Sequence, residues 1–154
     1  VSAKRFIVTD KVYDAFVDAF VEQMNGITLG DPTQDDTQLG PLSSDEQFDT
    51  VKSQVDESVE KGAKVLCGGQ APDRTGAYYP ATVLSDLKPG MPAHDDEIFG
   101  PVAVVQGWND YDAVIDTANG THYGLAGRWS LDVGWFLCRV LGRITRGQIL
   151  GHCP

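Results

Sequence analysis

Apolar side chains between Val12 and Met24 fall at Val12, Tyr13, Phe16, Val17, Phe20, Val21 and Met24, the recurrence of a helix with one buried face. Asp10 stands where a helix cap belongs. Ahead of it, Arg5 to Val8 reads as a short strand. A second helical stripe, Phe48, Val51, Val55 and Val59, follows Ser44 and Gln47, whose spacing predicts a capping box; Gly62 predicts the helix end. Residues 63–67 (AKVLC) and 78–84 (YYPATVL) predict strands on either side of the turn-rich GGQAPDRTG. Val102 to Gln106 predicts another strand. Asn109 with Asp112 starts a shorter helix through Ala118, with Val114 and Ile115 inward and Asn119-Gly120 at its end. Residues 124–130 (GLAGRWS) predict a strand, 132–146 a helix and 148–150 a last strand. Strands alternating with helices predict an α/β fold of three layers, a largely parallel sheet flanked by helices.

Between these elements two polar stretches stand out. Residues 29–44 carry Gly30, Pro32, Gly40 and Pro41 and predict a loop. The other is DDEIFGP at 95–101, immediately before the apolar run Val102-Ala103-Val104-Val105. Pro101 sets its own φ and biases Gly100 away from the helical region, so a loop turns here into a buried strand. Glu97 and Phe99 therefore stand at a strand mouth. A carboxylate there can accept hydrogen bonds from paired sugar hydroxyls, and a ring can offer a flat face to a planar heterocycle. A surface acid and a core-capping Phe satisfy the same spacing.

The chain has 154 residues, 42% of them hydrophobic, enough for one domain with a real core. Its formal net charge is −10, with Lys and Arg dispersed, which argues against nucleic-acid or anionic-membrane partners. No stretch approaches the roughly 20 consecutive apolar residues of a membrane span, and VSAKRFIV lacks a signal-peptide core; the expected location is the cytoplasm. Cys67, Cys138 and Cys153 are scattered, as are His94, His122 and His152, so neither a disulfide framework nor a metal site is expected. Adjacent His152 and Cys153 point apart on extended backbone, and Cys67 reads as a small buried hydrophobe. The glycines form no phosphate cradle of the dinucleotide or P-loop pattern, and Asp35-Asp36 and Asp95-Asp96 lack the alternation of a calcium loop.

Several separated strings fit one family together: SAKRFIV (2–8), GDP and GPL (30–32, 40–42), EKGAKVLCGG (60–69), YYPATVL (78–84), EIFGPVAVV (97–105) and ANGTHYGLAG (118–127). In this order the chain resembles the C-terminal part of the catalytic domain of the NAD(P)-dependent aldehyde dehydrogenases, most like the succinate-semialdehyde type. The resemblance covers about 1–130, while 131–154 departs from the pattern, with GRWSLDV a residue short and His152 where the family tends to carry asparagine.

The resemblance implies that Glu97 contacts the nicotinamide ribose and Phe99 the nicotinamide. It also implies attack of a cysteine thiolate on an aldehyde, hydride transfer to NAD or NADP, and hydrolysis of the thioester by a glutamate-activated water. The nucleophilic cysteine is expected immediately before Val1, so no catalytic residue is assigned within the chain. The cofactor-binding domain, the glutamate and an oxyanion-stabilising asparagine are expected further upstream. On this reading residues 1–154 are a partial catalytic domain, inactive alone, whose partner is the N-terminal half of an enzyme expected to be a homo-oligomer when complete. Lys4 and Arg5 are expected to be structural and not ligands of a substrate carboxylate. The alternative is a freestanding, non-enzymatic α/β scaffold or interaction protein.

Overall fold

A computed structural model describes residues 3–123, 126–130 and 148–152. Strand β1 (Arg5–Thr9) leads into helix α1 (Tyr13–Asn25), and helix α2 (Asp45–Glu60) into strand β2 (Lys64–Cys67). Strand β3 (Thr82–Ser85), the four-residue helix α3 (Pro92–Asp95), strand β4 (Val102–Trp108) and helix α4 (Tyr111–Asn119) follow. Strands β5 (Ala126–Ser130) and β6 (Gln148–His152) pair in parallel as a separate two-stranded sheet.

The main sheet runs β1-β4-β3-β2. β4 pairs in parallel with β1 and β3, while β2 joins β3 antiparallel. Its run Val102-Ala103-Val104-Val105 is buried throughout, as a strand covered on both faces requires. Alternation then sorts the side chains. Val102, Val104 and Leu84 enter a core with Val51 and Val55 of α2, Tyr79, Met91 and Ile98. Val105, Val83 and Cys67 turn to the other face, against Phe6 and the α1 stripe of Tyr13, Phe16, Val17, Phe20, Val21 and Met24. The predicted three-layer α/β arrangement is the one observed.

Several boundaries differ for physical reasons. Asp10 does not cap α1: Val12 holds that position without a side-chain bond. The ladder between β1 and β4 reaches Thr9 and Trp108, and the Asp10 N–H continues it by donating to the Trp108 carbonyl at 2.9 Å. A turn must intervene before the helix begins. For the same reason β4 extends two residues past Gln106. β3 begins at Thr82 and not at Tyr78, because Pro80 offers no N–H to a ladder and Tyr79 is turned fully into the core against Phe48. Asp110, one residue later than expected, caps α4 by accepting from the Ala113 N–H at 2.9 Å. Val59 is 40% exposed. Ser58 takes the buried place instead, accepting the Ala93 N–H at 2.8 Å and donating to the Gln54 carbonyl at 2.7 Å. α3, which packs there, had no sequence signal beyond Pro92. The helix expected at 132–146 lies outside the described residues.

Candidate functional site

The DDEIFGP corner joins α3 to β4. Ile98 is its anchor, buried in the α2-side core, and alternation along extended backbone sends the residues on either side of it outward. Glu97 is exposed and the Phe99 ring is 65% exposed. The core-capping reading of Phe99 therefore does not hold, and both candidate side chains stand open at the mouth of β4.

The corner's backbone is held on three sides. The Gln47 amide donates to the Phe99 carbonyl at 3.1 Å, the Gln54 amide to the Glu97 carbonyl at 3.5 Å, and the Lys4 ammonium to the Gly100 carbonyl at 2.5 Å. Behind it, the Thr82 N–H donates to the Pro101 carbonyl at 2.8 Å, tying the corner to the start of β3. Gly100 leaves room for α2: a β-carbon on it would lie 2.8 Å from a methyl of the fully buried Val51. Ser44 does cap α2, accepting the Gln47 N–H at 3.1 Å. The Gln47 side chain, however, bonds to the corner. Nothing local in the sequence marks Gln47 or Gln54 as a site residue, although 47, 51, 54 and 58 form one helical stripe. Two amides in a stripe otherwise facing the core were the available signal.

The electrostatics follow from the same packing. Burial pushes the Lys4 pKa down, and the Glu97 carboxylate pulls it back up. Burial pushes the Tyr123 hydroxyl up; Arg5 opposes this, while Glu97, Asp96 and Asp95 reinforce it. Arg5 donates to the Thr117 carbonyl at 2.7 Å and reaches Gln106 Oε1 at 3.4 Å, which fastens β1 to α4 and accords with a structural role. Burial also lowers its pKa, with Tyr123 opposing. His94 Nδ1 lies 2.7 Å from Asp95 Oδ1, whose other oxygen accepts the Gly90 N–H at 2.7 Å; the bond to His94 is the main reason the Asp95 carboxyl is held below its usual range.

Cys67 is buried on the α1 side, and burial raises its thiol pKa, the state of a packed and not a nucleophilic cysteine. Cys138 and Cys153 lie outside the described residues. Among the described residues no three His, Cys, Asp or Glu side chains could hold a metal ion, and no helix is long and apolar enough to cross a membrane.

An exposed ring and an exposed carboxylate stand two residues apart on a corner anchored at the head of a parallel strand. The aldehyde dehydrogenase family model matches residues 1–149, and the chain belongs to that family. It is 45% identical over 150 residues to a succinate-semialdehyde dehydrogenase [NADP(+)] of Mycobacterium ulcerans, covering 97% of this chain and 32% of that protein. A succinic semialdehyde dehydrogenase of Streptococcus pyogenes, solved in complex with NADP+, superposes with a TM-score of 0.88 at 32% identity, over 96% of this chain and 32% of that one. An NAD+ complex of a Bacillus cereus aldehyde dehydrogenase gives a TM-score of 0.90 at 31% identity, over 96% and 30%. The chain thus spans about a third of the length of the curated relatives it matches.

Proposed function

We propose that this chain works as a segment of an NAD(P)-dependent aldehyde dehydrogenase that oxidises succinate semialdehyde to its acid through a cysteine thioester. The observation that carries the reading is Phe99, held 65% exposed beside an exposed Glu97 on a corner whose carbonyls are tied down by Lys4, just ahead of β1, and by Gln47 of α2. Leaving a large apolar ring in water has a cost that a stacked heterocycle would remove. In this reading Glu97 accepts hydrogen bonds from the two hydroxyls of a nicotinamide ribose, and Phe99 lies against the nicotinamide. When bound, the dinucleotide supplies the hydride acceptor. The semialdehyde preference is supported by the named activity of the Mycobacterium and Streptococcus relatives.

In this reading the nucleophile is a cysteine directly ahead of Val1, and the cofactor-binding domain, the glutamate base and the oxyanion asparagine belong to an N-terminal partner segment. The 154 residues alone are inactive, because they bring neither a nucleophile nor most of the dinucleotide contacts. The complete enzyme is a cytoplasmic homo-oligomer. The test is reduced-cofactor absorbance with succinate semialdehyde, using the complete protein and the chain by itself. Turnover by the complete protein is expected, with the KM for the dinucleotide raised about tenfold by Glu97→Gln and by Phe99→Ala. No aldehyde oxidation by the complete protein would refute the reading, and turnover by the isolated chain would refute its inactivity.

A further inference from the structure

We propose that Lys4 is a positioning residue that sets the aim of Glu97 and Phe99 by clamping the Gly100 carbonyl; this rests on the reading of the corner as the cofactor-facing wall. Three side chains hold three of the corner's carbonyls, and they are not equivalent. Gln54 reaches Glu97 at 3.5 Å and Gln47 reaches Phe99 at 3.1 Å, both as neutral amides in exposed bonds. Lys4 donates from an ammonium group at 2.5 Å, in a partly buried bond spanning 96 residues of sequence. Charge-assisted bonds of this kind are shorter and about twice as strong as neutral ones, and partial burial limits competition from water.

The clamp is double. The Lys4 carbonyl accepts the Val104 N–H at 2.8 Å, so one residue grips β4 with its backbone and the turn ahead of β4 with its side chain. Gly100 cannot retreat toward α2, where Val51 occupies the space behind it. Lys4 holds the carbonyl of Gly100, and Val51 fills the space beside its α-carbon. The Glu97 charge acts on the Lys4 ammonium from the same corner. The wall that meets the nicotinamide is thereby fastened to the segment that opens β1.

The test uses the complete enzyme with Lys4→Met, Lys4→Gln and Lys4→Arg, reading steady-state KM for both substrates and direct NADP+ binding by fluorescence titration. Lys4→Met is expected to raise the KM and the Kd for NADP+ about tenfold, while the KM for the aldehyde stays within about twofold. Lys4→Arg, which keeps the charge and the donor, is expected to recover most of that loss, and Lys4→Gln only part. Unchanged cofactor binding in Lys4→Met overturns the inference, as does a parallel rise in both KM values. If Lys4→Met fails to fold, the Lys4→Gln and Lys4→Arg pair decides: equal cofactor affinity in the two refutes a charged clamp. A wild-type enzyme that binds no dinucleotide instead refutes the reading of the corner, which separates the two failures.

Discussion

Replacing Gly100 by alanine adds one methyl group where α2 leaves no room. An ideal β-carbon there would lie 2.8 Å and 3.1 Å from the two γ-methyls of Val51, against the roughly 3.5–4.0 Å of a good carbon–carbon contact. Gly100 is not among the glycines with positive φ, so the obstacle is space and not backbone conformation. Val51 cannot turn aside easily: it is fully buried, and a helical valine has one strongly preferred rotamer. Overpacking of this kind costs about 1–3 kcal/mol, offset by the roughly 0.4–1 kcal/mol that a glycine-to-alanine change gains through the unfolded chain. Val51→Ala alone should cost about 2–3 kcal/mol, from two lost methyls and the cavity they leave. In the double variant the new methyl enters the space vacated by valine. Its cost should fall short of the sum of the single costs by about 1–2 kcal/mol. Urea unfolding followed by far-ultraviolet circular dichroism on the four proteins measures this coupling. Additivity within about 0.5 kcal/mol, or a Gly100→Ala protein as stable as the parent, would refute the steric account.

Thr82 is fully buried, and its hydroxyl accepts the Gly69 N–H at 2.9 Å while donating to the Pro80 carbonyl at 2.9 Å. Thr82→Val keeps the shape and strands both groups, so thermal melting should show a loss of about 1–3 kcal/mol, with Thr82→Ser losing less. Ser58→Ala leaves the Ala93 N–H without its acceptor at the start of α3; a similar loss and faster hydrogen exchange at Ala93 are expected, and unchanged exchange there would contradict the assignment. The Asp95 carboxyl has a folded-state pKa below its unfolded value, chiefly through His94. Its contribution is therefore whole above the unfolded pKa of about 3.9 and is lost as pH falls through the lower folded value. Acid unfolding of Asp95→Asn should be less steep below about pH 4 than that of the parent, and a superimposable acid limb would count against the pairing.

The long elements were legible because their periodicity reports directly on burial. The α1 stripe from Tyr13 to Met24 and the α2 pair Val51 and Val55 fall on the core-facing sides the spacing demanded, and the unbroken apolar run of β4 is that of a strand covered on both faces. The departures arise where a residue answers to a distant partner. Asp10 extends a ladder with Trp108, and Ser58 displaces Val59 from the interior because Ala93 needs an acceptor. Gln47 completes no capping box because its amide has the Phe99 carbonyl to satisfy. Nothing within a few residues of any of these positions foretells the partner.

The corner shows the same division. By itself the sequence determined that a carboxylate and a ring stand at the mouth of a buried strand, since proline, glycine and four consecutive apolar residues restrict the backbone locally. It left open whether Phe99 caps the core or faces water. Only the tertiary structure decided that, by burying Ile98 and so turning both neighbours outward, and by bringing Lys4, Gln47 and Gln54 from two remote segments onto three carbonyls of one turn. Backbone preference is a property of neighbours in sequence, whereas the satisfaction of buried and half-buried polar groups is a property of neighbours in space.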